Sequence, residues 1–80
     1  MGGIETKTIV DINQTANKYQ SSIVLRTDGK NLDAKSILGL SITLLKSQTY
    51  RLEINGQDEK EAKSAMAAVF QKHGLAVEFI

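Results

Sequence analysis

Two Asx-Gly pairs, Asp28-Gly29 and Asn55-Gly56, constrain this chain more than any other feature. Glycine accepts positive φ without a Cβ clash, so each pair turns the backbone sharply between ordered segments. Ser22 to Thr27 precedes the first turn, with Ile23 and Leu25 on one face and Val24 and Arg26 on the other. That alternation predicts a strand, and a short return strand follows over about Lys30 to Asp33. Thr49 to Asn55 alternates again, with Tyr50, Leu52 and Ile54 facing in and Arg51 and Glu53 facing out. After the second turn, Ala62, Ala65, Met66, Val69, Phe70 and His73 recur at helical spacing from Asp58. Asp58 and Glu61 read as a capping box, Gly74 as the C′ residue, and Leu75 as its hydrophobic closure. Eighty residues of this kind make one small domain, burying only about 60–65% of the unfolded surface.

The two ends are less determinate. Residues 4–12 are rich in β-branched side chains, and Ile4, Thr6, Thr8, Val10 and Ile12 alternate to one side. A strand to about Asp11 is the preferred reading, with Asn13 capping a short helix from Gln14 to about Gln20. A helical reading stays open, because Ile9, Ile12, Ala16 and Tyr19 also share a helical face. Ser36 opens a further helix to about Lys46, with Ile37, Leu40 and Leu44 at helical spacing. The tail Ala76 to Ile80 reads as a short extra strand. Its apolar residues cover the chain's own core, fill a groove, or pair with another copy as a strand-exchanged or edge-paired homodimer. The element order predicts a two-layer α+β sandwich, with helices on one face of an antiparallel sheet.

Composition narrows function by exclusion. There is no cysteine, so neither disulfide nor thiolate chemistry is available. A net charge of +1 with interspersed signs gives no field for nucleic acid or an anionic membrane. No apolar run approaches a bilayer span and no signal-peptide pattern opens the chain, so the cytosol is the expected location. One histidine and no cysteine hold no metal, and no cofactor is expected. Glu59, Lys60, Glu61 and Lys63 are the solvated face of a helix. His73 ends a helix, where carbonyls rather than amides point outward, and it reads as a solvent-facing or half-buried residue rather than a nucleophile.

Several blocks together resemble HPr, the small phosphocarrier of the bacterial sugar phosphotransferase system. They are Gln14 to Tyr19, Asp28-Gly29-Lys30, Lys35 to Gly39 within Asp33 to Leu40, Asn55-Gly56 with Asp58-Glu59, and Gln71 to Leu75. The resemblance covers residues 14–75. It implies an HPr-like open-faced sandwich whose sheet order is first, fourth, second, third. The family's active-site motif, Gly-Ile-His-Ala-Arg-Pro-Ala, is absent upstream. Two explanations stand: loss of the active-site loop and the first helical turns with the first strand kept, or loss of the strand with residues 4–12 helical.

The resemblance also implies roles for particular residues. Ser36 corresponds to the regulatory serine phosphorylated by HPr kinase/phosphorylase, although serine is also a common N-cap. A phosphate there would gain from unpaired helix N–H groups and from Lys35. Lys35, Ile37, Leu38 and Ser41 would form the partner-binding surface for that kinase or a repressor, with Ser41 standing where the family usually has methionine. The expected protein is a non-enzymatic regulator or adaptor of the phosphotransferase network. The alternatives are an atypical phosphocarrier and a self-associating structural domain.

Overall fold

The computed structural model describes residues 6–27, 30–36 and 50–80. Its elements are α1 (Thr6–Ala16), β1 (Ser22–Thr27), β2 (Lys30–Asp33), β3 (Tyr50–Asn55), α2 (Glu59–Lys72) and β4 (Val77–Phe79). Past Ser36 itself, the expected helix over 36–46 lies outside the described residues.

Residues 6–16 are helical, which overturns the preferred strand and the separate helix from Gln14. Packing decides this. A helix buries Thr8, Ile9, Ile12 and Ala16 on one face, with Ile12 and Ala16 wholly inaccessible. Strand alternation would instead put Val10 level with Ile12, yet Val10 is only half-buried. The β-branched residues Thr6, Thr8, Ile9, Val10 and Ile12 each cost about 0.7 kcal/mol or less in helix propensity, and one buried isoleucine outweighs several such terms. Asn13 is therefore mid-helix rather than a cap, and its carbonyl accepts the Asn17 amide at 3.0 Å.

The four-stranded sheet runs β2-β1-β3-β4. β1 pairs antiparallel with β2 (Thr27 opposite Lys30) and with β3 (Leu25 opposite Leu52). β4 lies parallel to β3, with Arg51 opposite Glu78, so the sheet is mixed rather than antiparallel. α2 provides the crossover that parallel neighbours require. The edge beside β3, which the expected order gave to a strand from residues 4–11, is filled by the tail. That is the second reason residues 6–16 are free to be helix.

Ile23, Leu25, Tyr50, Leu52 and Ile54 face the helices as their alternation predicts. They meet Ile9, Ile12 and Ala16 of α1 and Ala62, Met66, Val69 and Phe70 of α2 in one aliphatic core. Tyr50 and Phe70 supply its aromatic contact, ring centroids 5.9 Å apart and tilted by 58°. Burial pushes the Tyr50 hydroxyl above the ordinary tyrosine range. α2 ends in a Schellman motif: the amides of Gly74 and Leu75 donate to the carbonyls of Gln71 and Phe70, and Gly74 takes φ +71°. Leu75 packs against the core as predicted.

Candidate functional site

The turn that follows β2 presents Ser36. The Ala34 amide donates to the Ile23 carbonyl at 2.9 Å, which extends the β1–β2 pairing one residue beyond Asp33. The Asp33 carboxylate then accepts the Lys35 amide at 2.9 Å, and its carbonyl accepts the Ser36 amide at 2.9 Å. This is an aspartate folding its own backbone into a turn. α1 fixes the turn from the other side. Asn13 Nδ2 donates to the Ala34 carbonyl at 3.4 Å, and Asn17 Nδ2 donates to the Lys35 carbonyl at 3.3 Å. Lys35 Nζ returns the contact, donating to the Tyr19 carbonyl at 2.7 Å just past the end of α1.

Ser36 is exposed on this braced turn, whereas Ala34, two residues before it, is wholly buried. The bonds from Asn13 and Asn17 link the position of this turn to α1. Of the other sequence-predicted residues, the turn includes Lys35, which is half-buried and spends one ammonium proton on the α1 end. Ile37, Leu38 and Ser41 lie outside the described residues.

The other polar clusters are structural. Asp58 does not cap α2, contrary to the capping-box reading. Its carboxylate accepts the amides of Gln20 and Ser21, both at 2.9 Å, and the Ser21 hydroxyl. Those bonds, the Ser21 hydroxyl first, hold Asp58 below the usual carboxylate range. Glu59, rather than Glu61, reaches back to the Gly56 amide at 3.3 Å.

His73 packs across α1 rather than facing solvent, and its side chain is 14% exposed. Thr8 Oγ1 lies 3.1 Å from Nδ1, and Asp11 Oδ2 lies 2.8 Å from Nε2. A neutral ring satisfies both contacts, with the Thr8 hydroxyl donating to Nδ1 and Nε2–H donating to Asp11. Lys72 Nζ adds a donor at 3.3 Å to the same carboxylate oxygen. The His73 hydrogen bond, with Lys72 beside it, holds Asp11 below the usual carboxylate range. With both ring nitrogens engaged, His73 fastens the end of α2 to α1. The strand reading hid this contact, since only a helix puts Thr8 and Asp11 on one face, three residues apart.

Among the described residues, no group of three or more histidine, cysteine or acidic side chains converges to hold a metal. None of the described helices is long and apolar enough to cross a membrane.

With this geometry in view, the chain can be set beside known proteins. The family model described as the PTS HPr component phosphorylation site matches residues 2–72. An HPr-like protein Crh from Halalkalibacterium halodurans is 37% identical over 71 residues, spanning 88% of this chain and 84% of that one. A phosphocarrier protein HPr from Xylella fastidiosa is 33% identical over 70 residues, spanning 86% and 79%. The crystal structure of Bacillus subtilis Crh, a catabolite-repression protein seen as a swapped dimer, superposes with a TM-score of 0.78 at 33% identity. It covers 92% of this chain and 86% of its own.

Proposed function

The chain belongs to the HPr family, and we propose that it acts there as a regulatory binding protein, switched at Ser36, without carrying phosphate on histidine. The observation that carries this reading is the exposed position of Ser36 on a turn held by Asp33, Asn13, Asn17 and Lys35. Phosphorylation would place nearly two negative charges at the end of that turn. The Lys35 ammonium is the nearest cation in sequence, and recruiting it to the phosphate would weaken its bond to the Tyr19 carbonyl. The switch would thereby reach the end of α1 as well as any partner docked on residues 35–41.

Lack of histidyl transfer is supported by the sequence that runs into α1. Gly3-Ile4 matches the opening of the family motif Gly-Ile-His-Ala-Arg-Pro-Ala. Reading on sets Glu5 where the histidine belongs, Lys7 where the arginine belongs and Thr8 where the proline belongs. In this register the motif positions are occupied but chemically changed, and a shortened first helix is not needed. The one histidine of the chain, His73, has both nitrogens hydrogen-bonded within the α1–α2 packing. The similarity to two Crh proteins, one described by its role in catabolite repression, favours a regulator over a phosphocarrier.

The test is phosphorylation by HPr kinase/phosphorylase with ATP, followed by peptide mass spectrometry of the wild type and Ser36→Ala. Phosphate on Ser36, lost in the variant, supports the reading. An unmodified Ser36 under conditions that phosphorylate an HPr control overturns it.

A further inference from the structure

One peptide unit, Tyr19–Gln20, is gripped at its two ends by opposite charges. Its carbonyl accepts the Lys35 ammonium at 2.7 Å, and its amide donates to Asp58 Oδ2 at 2.9 Å. Lys35 belongs to the Ser36 turn and Asp58 to the turn that opens α2, so two segments distant in sequence meet across a single planar bond. The approach to this peptide is fixed to α1. The amides of Lys18 and Tyr19 fold back on the carbonyls of Thr15 and Ala16, at 3.2 and 3.3 Å.

Resonance joins the two ends of a peptide unit. A cation on the carbonyl oxygen draws electron density from the nitrogen and makes the N–H a better donor. A carboxylate on the N–H makes the oxygen a better acceptor. Both bonds are charge-assisted, and each strengthens the other. The Asp58 carboxylate also divides its donors in a way that isolates this link. Oδ2 takes the Gln20 amide, whereas Oδ1 takes the amide and the hydroxyl of Ser21. A change at Lys35 therefore acts first on the Oδ2 bond, with the Ser21 bonds as an internal reference.

We propose that the Tyr19–Gln20 peptide couples the Ser36 turn to the start of α2: when Lys35 leaves the Tyr19 carbonyl, the Gln20 amide loosens its hold on Asp58. The regulation this provides rests on the reading of Ser36 as a phosphorylated serine. A phosphate there draws the ammonium away, because a dianion is a stronger acceptor than a carbonyl. The two phosphorylation states then differ at the α1–β1 loop and the opening of α2 as well as at the turn. Linkage makes the coupling reciprocal, so loss of the Asp58 charge also loosens Lys35 from Tyr19.

Amide hydrogen exchange by NMR tests this on the full chain, with the Met66 amide, in the middle of α2, as the measure of global opening. Lys35→Met keeps the unbranched side chain and removes the donor. In this variant the Gln20 amide should exchange at least about fivefold faster relative to Met66, the low end of ordinary coupling, while Ser21 changes less. The Asp58 carboxyl should titrate at a higher pH than in wild type, since the Gln20 bond is one of those holding it down. Wild type phosphorylated on Ser36 should show the Gln20 change too. An unmoved Gln20 amide or an unmoved Asp58 titration in Lys35→Met overturns the coupling, whether or not Ser36 accepts phosphate. An unmoved Gln20 amide in a chain carrying phosphate on Ser36 overturns it as well. A Ser36 that takes no phosphate overturns the regulation together with the reading it rests on, and Lys35→Met still decides the coupling.

Discussion

Asp58 and Gly56 show how one contact holds separate parts of the chain together. Asp58 receives three donors from Gln20 and Ser21, which joins the start of α2 to the loop between α1 and β1. Gly56 is where that loop passes closest: a Cβ there would sit 2.6 Å from Ser21 Cα and 2.8 Å from Ser21 Cβ, with φ at +155°. Backbone and a held side chain cannot move aside cheaply, so Gly56→Ala should cost about 1–3 kcal/mol in urea unfolding. Asp58→Ala should lower the urea midpoint at neutral pH, since it strands the two amides. The pH dependence has a definite sign. Asp58 and Asp11 both titrate below their unfolded values in the native state, so their stabilisation is full at neutral pH. It is lost as the pH falls below about 4, where the unfolded chain takes up protons first. The gap between wild type and Asp58→Ala should therefore narrow from pH 7 to pH 3.

At the scale of elements, α1 and β4 are coupled through one vacancy in the sheet. β3 accepts a neighbour on the side away from β1, and the tail takes that place parallel to it. α1 is then left to cover the core as a helix. This gives a direct mutational contrast. Ile12→Ala should cost about 2–5 kcal/mol, whereas Val10→Ala should cost clearly less, because the helix buries the first and leaves the second half-exposed. A strand would have made the two losses similar. The central strands and α2 were legible because turns and alternation bound them on both sides: Asp28-Gly29, Asn55-Gly56, Asp58 and Gly74. α1 was not legible because Thr6, Thr8, Val10 and Ile12 satisfy a period of two while Ile9, Ile12 and Ala16 satisfy a helical one. Only the partner surface, α2, chooses between them. The same misreading hid the Thr8–His73–Asp11 contact, and a match to a capping-box pattern concealed that Asp58 serves a different loop. Ser36 stands out in the sequence through its neighbours, Asp33 to Leu40, but the bonds from Asn13 and Asn17 to the turn before it needed the helix in place.

At the scale of the molecule, the chain keeps the family's two-layer plan while changing the sheet edge and the active-site motif. Three strands stay in the expected neighbourhood, and the fourth position is filled from the other end of the chain. The motif positions read Gly3-Ile4-Glu5-Thr6-Lys7-Thr8-Ile9, leaving no imidazole to receive a phosphoryl group there. The turn that ends at Ser36 is held against the end of α1 by Asn13, Asn17 and Lys35. We propose that the protein senses phosphate at Ser36 rather than carrying it on histidine. The most direct test offers both phosphate sources to the same purified protein: ATP with HPr kinase/phosphorylase, and phosphoenolpyruvate with enzyme I. The acid stability of the attached phosphate is then measured. The account predicts acid-stable phosphate from ATP, located on Ser36, and none from phosphoenolpyruvate. Acid-labile phosphate from phosphoenolpyruvate, on Glu5 or His73, would contradict it.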